Sequence, residues 1–174
     1  MKTHAMGPTE TNDDDCLYPF KALRTEQGYP SARTFQVMRD NNGESTGIKT
    51  RIDLHAHQCI ARVSGHALNE RRPHTLQVSS RIHLLDPWFA GLLAHSCNPN
   101  VFLDITYLEL WSVRSIKAGT LLTVDYAHTE DTVHRQFACH CGESNCRGWI
   151  IGMKESLNVE GRDYVERWLP SKRP

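Results

Sequence analysis

The chain has 174 residues, and its 20 Lys plus Arg balance 20 Asp plus Glu to a formal charge of zero with no basic run, so neither nucleic acid nor an anionic membrane is expected as a principal partner. The hydrophobic fraction is 39%; no apolar run approaches the ~18 residues of a membrane span, and the N-terminus lacks the apolar core of a signal peptide. The reading is an intracellular protein, cytoplasmic or nuclear, built as one domain with appendages and long enough to bury its own core.

Residues 1–16, with Gly7, Pro8 and the run Asp13-Asp14-Asp15, carry almost no large apolar side chains and read as a disordered tail. A lead-in follows, in which Tyr18, Phe20 and Tyr29 show no clear period. Residues 34–38 alternate as a short strand that Asn41-Asn42-Gly43 closes with a turn. From Gly47 the pattern is β: Ile48, Ile52 and Leu54, a turn at Ala56-His57, then a strand over residues 59–63. Histidine tolerates the left-handed region better than most residues, which suits His57 to that turn. Leu76, Val78 and Ile82, with polar residues between them, give a further strand. Asp86-Pro87 then opens a short helix through Trp88, Phe89, Leu92 and Leu93, with Asp86 as N-cap and Pro87 as first residue. Strands over 101–103 and 107–111, a turn over 115–120 and a strand over 121–126 rich in β formers complete the core. A terminal helix over 158–169 sets Tyr164, Val165, Trp168 and Leu169 on one face, against the poor helix propensity of Gly161.

The six cysteines are distributed unlike a disulfide framework. Cys139, Cys141 and Cys146 crowd into Cys-His-Cys-Gly-Glu-Ser-Asn-Cys, where bridging the close neighbours would strain the bond. A reducing compartment and a metal fit better. Three such ligands need a fourth, and the candidate is Cys97 in the bend His95-Ser96-Cys97-Asn98-Pro99-Asn100, where Asn98-Pro99 starts a turn. Four thiolates suit tetrahedral Zn²⁺ at about 2.3 Å per bond, and a closed set of four is structural because it leaves no position for water or substrate. His140 reads as a solvated loop residue, and Cys16 and Cys59 as uninvolved.

Taken in order, these signals resemble the SET domain followed by its post-SET zinc segment, over residues 47–152. Residues 47–68 are similar to the family's opening pair of strands. Ala94-His95-Ser96-Cys97-Asn98-Pro99-Asn100 is similar to the signature Asn-His-Ser-Cys-x-Pro-Asn. Residues 116–126, ending in Asp125-Tyr126, resemble Ile-x-x-Gly-Glu-Glu-Leu-x-x-Asp-Tyr, and residues 137–148 resemble Cys-x-Cys-x4-Cys-Arg-Gly. The resemblance implies a mostly β fold of small curved sheets with a pseudoknot, a post-SET segment with a four-cysteine zinc site and a short C-terminal helix. With the tail and the terminal helix read from the residues, the chain divides into a disordered tail (1–16), a SET domain with its lead-in (17–132), a post-SET zinc segment (133–152) and a C-terminal helix and tail (153–174). The resemblance makes Cys97 the fourth zinc ligand beside Cys139, Cys141 and Cys146.

Most members of that family transfer a methyl group from S-adenosylmethionine to a protein lysine. The resemblance therefore implies Tyr126 as the catalytic hydroxyl at the inner end of a lysine channel, and Gly47, Ala94, His95 and Trp149 at the cofactor. For Trp149 a plain packing role stands equally beside a place over the adenine. Three positions depart from the family pattern: Ala94 replaces the signature's first Asn, Ser45 replaces the first Gly of Gly-x-Gly, and Val63 stands where relatives often carry an aromatic. One lost charge-assisted hydrogen bond, as at Ala94, costs about 1.5 to 3 kcal/mol.

Three readings follow. The first is methyl transfer to a protein lysine. The second is a SET-fold enzyme that has lost the cofactor and performs acid–base chemistry, a cyclisation or isomerisation, on a small carbonyl compound. It draws on the ten histidines of the chain, of which His55, His57, His66, His74, His83 and His95 fall in the core region, and would pair His95 with Tyr126. The third is a non-catalytic peptide-binding module.

Overall fold

The computed structural model describes residues 15–171, so nearly all of the tail read at residues 1–16, and residues 172–174, lie outside the described residues. Cys16 is described, and it forms an isolated β-bridge with Ser31.

Short strands dominate, because the chain offers runs of three to six β-forming residues between turn residues and no long amphipathic segment before its end. Strands β1 (Phe35–Arg39) and β2 (Ser45–Thr50) form a hairpin. Strand β3 (Cys59–Arg62) joins β8 (Val101–Asp104) and β9 (Glu109–Ser112) in the order β3-β9-β8. Strands β4 (His66–Leu68), β5 (Thr75–Gln77) and β6 (His83–Leu85) form a second three-stranded sheet, ordered β4-β6-β5. Two pairs of two-residue strands complete the sheets. Strand β7 (Ala94–His95) runs parallel to β10 (Thr123–Val124), and β11 (Phe137–Ala138) runs antiparallel to β12 (Trp149–Ile150). Helix α1 is a single turn, Tyr126–Thr129, and α2 is Val159–Ser171.

The sheets share one apolar core in which Phe35, Ile48, Phe89, Leu93, Leu110 and Leu122 are fully buried. Phe35 and Phe89 rings lie 4.9 Å apart, and side chains of this size each contribute about 1.5–3 kcal/mol on burial. The lead-in is fastened to this core by Tyr18, whose hydroxyl donates to Asp86 Oδ2 at 2.8 Å and accepts from the Ser64 amide at 3.0 Å.

Several expectations change. The strand read through Leu76, Val78 and Ile82 is two antiparallel strands, because Ser79 Oγ takes the amides of Arg81 and Ile82 and folds the chain back. Val78 and Ile82 are exposed at that turn, and β4 is a strand the periodicity did not reveal. The helix after Asp86 is only a 3-10 turn, Ala90–Leu92. The Asp86 carboxylate still caps the backbone, taking the amides of Trp88, Phe89 and Ala90. A Cβ on Gly91 would come within 2.2 Å of the Asp86 carbonyl oxygen. Tyr107 and Leu108 belong to a turn capped by Asp104 Oδ1, and Leu108 takes φ 54°. The strand over 121–126 shrinks to Thr123–Val124, because Asp125 accepts from the Ala127 amide at 3.0 Å and turns Tyr126 into the first residue of α1. His57, at φ 57°, does take the left-handed region.

Candidate metal centre and active-site cavities

The sulfurs of Cys97, Cys139, Cys141 and Cys146 lie within 4.8 Å of one another. Cys97 Sγ and Cys139 Sγ are 3.8 Å apart, the edge of a tetrahedron with arms of about 2.3 Å, so the donor set and its spacing fit Zn²⁺. Cys97 and Cys139 are buried, and the other two half-buried. The loop that carries the trio is closed by the Cys139 amide donating to the Gly148 carbonyl at 2.8 Å, with Gly142 and Gly148 at φ 76° and 77°. Burial pushes the Cys97 and Cys139 thiols up. Burial pulls Cys141 up as well, but the Cys97 and Glu143 amides help bring it down to about 7. His140 is exposed, and Cys16 and Cys59 stand outside the group.

Other contacts fasten this segment to the central bend. The Arg147 amide donates to Cys97 Sγ at 3.4 Å, Asn145 Nδ2 to the Cys97 carbonyl at 2.9 Å, and Asn98 Nδ2 to Glu143 Oε2 at 3.1 Å. The Arg147 guanidinium grips Asp125 with both arms, at 2.7 and 2.5 Å. Asp125 is buried; burial pulls its carboxyl up, but the guanidinium outweighs that and holds it below the usual range.

The parallel pair β7–β10 sets His95 beside Tyr126. His95 Nδ1 accepts from the Tyr126 amide at 3.3 Å, so the neutral ring carries its proton on Nε2, which faces Cys97 Sγ at 3.5 Å. Both ring nitrogens are thus engaged, and burial pushes the imidazole down to about 4 against the opposing pull of Asp125. The rings of His95, Tyr126 and Phe137 meet edge to face at 5.3 to 5.9 Å. They border a cleft of about 780 Å³ whose wall also includes Asn98, Arg114 and Lys117.

Tyr126 also borders a second cavity of about 110 Å³, walled by Leu76, Leu93, Val124 and Val133. Its hydroxyl donates to the Leu93 carbonyl at 2.6 Å, and burial pushes the phenol up to about 12. Glu130, which the sequence reading passed over, lines this cavity, and burial pushes its carboxyl up to about 7. The sequence offered no signal for it, because the single helical turn before it was read as the end of a strand.

The remaining candidates lie elsewhere. Ala94 is half-buried in β7, paired with Thr123. Gly47 packs against Leu121, whose Cδ1 would lie 2.8 Å from a Cβ there. Ser45 accepts from Arg39 Nη1 within the β1–β2 hairpin, and Val63 is buried in the core. Trp149 borders neither cavity: its indole donates to Gln136 Oε1 at 3.2 Å and lies under α2. Among the other histidines, His66 packs against Phe20 and Trp88, while His74 Nδ1 meets the Gly91 carbonyl at 3.0 Å.

No protein-family model matches the chain. Among curated proteins it is similar to the histone-lysine N-methyltransferase met-2 of Caenorhabditis elegans, 37% identical over 70 residues, which are 34% of this chain and 5% of that protein. It is similar to an H3 lysine-36 specific histone-lysine N-methyltransferase of Aspergillus fumigatus, 29% identical over 134 residues, 63% of this chain and 14% of that protein. Methyltransferase flvH of Aspergillus flavus is 35% identical over 77 residues, 43% of this chain and 42% of that protein. The chain thus spans less than half the length of each. Among solved structures it superposes on KRYPTONITE, crystallised in complex with mCHG DNA and SAH, with a TM-score of 0.56 at 24% identity, covering 72% of this chain and 30% of that one. Among the described residues no helix is long and apolar enough to cross a membrane. With small β-sheets, a His-Ser-Cys-Asn-Pro-Asn bend paired beside Asp-Tyr, and four clustered thiols closing the segment that follows, the chain has a SET-domain fold and is similar over part of its length to histone-lysine N-methyltransferases.

Proposed function

We propose that this chain transfers a methyl group from S-adenosylmethionine to a lysine of a protein. The observation that carries the reading is Tyr126, a half-buried phenol standing between a wide cleft and a narrower, more apolar cavity. Methyl transfer needs two reactants delivered from opposite sides to one point, and such a partition does that. The printed names of the relatives, histone-lysine N-methyltransferases and a methyltransferase, agree with it.

The wide cleft, at about 780 Å³, lies within the ~300–1,000 Å³ of small-molecule sites, and the His95–Tyr126–Phe137 rings offer aromatic surface for an adenine. Ala94 has no side-chain amide to bond the cofactor's amino-acid portion, so that bond must come from backbone or from another side chain of the cleft. When bound, S-adenosylmethionine supplies an electrophilic methyl on a sulfonium. The narrow cavity would strip water from a lysine side chain and align it; Tyr126 Oη, fixed by Leu93, holds the wall at which nitrogen meets methyl. The four cysteines would hold Zn²⁺ as a closed structural site, and His95 would donate from Nε2 to the Cys97 thiolate.

The substrate is a protein, with histones the first to test because the relatives' names point there. The protein, loaded with zinc, is incubated with methyl-labelled S-adenosylmethionine and core histones, and cofactor binding is measured separately by calorimetry. Label should enter lysine, and Tyr126→Phe should reduce the rate at least a hundredfold while leaving cofactor binding within a few-fold. Absence of any cofactor binding at millimolar concentration would end the proposal.

A further inference from the structure

Glu130 is buried, yet it has no cationic partner within ion-pair distance among the described residues. Its Oε1 accepts from the Gln77 amide at 3.0 Å, and no hydrogen bond reaches Oε2 among the described residues. The backbone holds the residue in place: its amide donates to the Tyr126 carbonyl, and its carbonyl accepts from the Met153 amide, both at 2.9 Å. Besides its apolar residues the wall carries Arg71, Arg72, His74 and His134, none of them in ion-pair contact with Glu130 among the described residues; a buried carboxylate without a direct partner is expensive, and an amide side chain would serve the Gln77 bond equally well. The cavity it borders, about 110 Å³, holds about four waters' worth of volume at ~30 Å³ each, the bulk of a short alkyl chain with a terminal nitrogen.

We propose that this cavity is a site for a primary alkylammonium, and that Glu130 is its counter-charge and proton acceptor. The inference rests on the lysine-methyltransferase reading for the identity of the ammonium, but not for the chemistry of the site. The ammonium gives one proton to the Glu130 carboxylate: an N–H bond breaks, an O–H bond forms, and a neutral amine with a free lone pair faces a neutral carboxylic acid. The acid afterwards loses the proton to water at the cavity mouth, where His74 and His134 are exposed. The groups that face Glu130 fit the exchange. Burial raises its affinity for a proton most, Asp131 adds to that, and the Gln77 amide and Arg71 oppose it, which leaves it poised near neutrality, where a general base works best. Neither arginine of the wall neutralises the carboxylate through a direct bond among the described residues: Arg71 leaves its buried Nε without a hydrogen-bond partner, and Arg72 is paired with Glu70.

The test uses the zinc-loaded full chain and n-butylammonium, with the Gln77 amide, which bonds Glu130 Oε1, as the nuclear magnetic resonance reporter. Saturable shifts are expected with n-butylammonium and not with 1-butanol. Glu130→Gln should weaken binding at least tenfold, and Glu130→Asp should restore part of it. In turnover with a lysine substrate, Glu130→Gln should lower kcat and remove the acidic limb of its pH profile. Equal binding of the probe by Glu130→Gln and the unaltered protein overturns the proposal, as does an unchanged pH profile. Glu130-dependent binding in a protein that transfers no methyl group would uphold the site and overturn the methyltransferase reading instead.

Discussion

Replacing Arg147 with Ala would remove both hydrogen bonds from its guanidinium to Asp125, at 2.7 and 2.5 Å, and leave a buried carboxylate without its counter-charge. Stranding one member of a buried pair costs about 3–5 kcal/mol. Here the arginine side chain is 39% exposed while the aspartate is 3% exposed, so solvent screening reduces the figure. Asp125 also keeps the Ala127 amide and the nearby His128, and about 2 kcal/mol is expected. For a chain of this size that corresponds to a fall in Tm of about 4–8 °C. The sharper test is the double variant. Asp125→Asn in the Arg147→Ala background removes the stranded charge yet keeps an oxygen for the Ala127 cap, so it should recover about half of the loss. Urea denaturation of the zinc-loaded protein, with the four members of the cycle side by side, measures both. If Arg147→Ala costs less than about 0.5 kcal/mol, or if Asp125→Asn destabilises it further, the guanidinium is not what makes that buried carboxylate tolerable.

Three further outcomes are expected. Cys97→Ser should lose most of its zinc to a competing chelator, measured by elemental analysis, while the unaltered protein keeps it; undiminished zinc would remove Cys97 from the ligand set. Burial raises the Glu130 carboxyl from 4.5 to about 7, so between those values the folded state binds more protons than the unfolded one and stability falls as pH rises. The loss is about 3 kcal/mol, and it should appear as a widening gap between the unaltered protein and Glu130→Gln in denaturation curves taken from pH 5 to 8. A gap that does not grow with pH would refute the shift. Gly161→Ala should loosen α2 despite a better helix propensity, because the new Cβ would fall 2.5 Å from Trp149 Nε1; limited proteolysis should cut the terminal helix faster, and unchanged cleavage would count against that packing.

What the sequence revealed and what it hid divide along a physical line. The thiol cluster was legible because ligand chemistry is carried by residue identity and spacing: Cys139-x-Cys141 and Cys146 fit a metal better than a disulfide framework, and the structure brings their sulfurs within 4.8 Å of Cys97. Strands with local turn residues, such as the β1–β2 hairpin closed at Gly43, were legible for a similar reason. The fold-back at Ser79 was not, because a side chain bonding its neighbours' amides interrupts a pattern whose hydrophobic alternation continues through it. Nor was the helical turn at Tyr126, where the Asp125 cap overrides a run of β formers. Gly161, read as a weakness of the terminal helix, is the gap that admits Trp149, while Gly148 admits Trp168 in return. Glu130 was hidden for another reason: a charged residue after a motif is ordinarily a solvated one, and only tertiary packing made this one buried.

The metal segment and the tyrosine are connected by a short series of direct contacts. Cys97 Sγ takes the Arg147 amide, the Arg147 guanidinium holds Asp125, and Asp125 caps the turn that begins at Tyr126. His95 adds a second route, from Cys97 Sγ through its ring to the Tyr126 amide. Each contact fixes backbone near the tyrosine, while the hydroxyl itself is set by the Leu93 carbonyl, just before β7. A closed thiolate site is therefore placed to act on a tyrosine that it does not touch: a bound ion would draw the C-terminal segment against the bend, and the bend positions the backbone from which the phenol reaches between the two cavities. On this argument Arg147→Ala should shift Tyr126 with zinc still bound, and removing zinc should shift it further. A ring resonance of Tyr126 indifferent to both changes would separate the metal from the site.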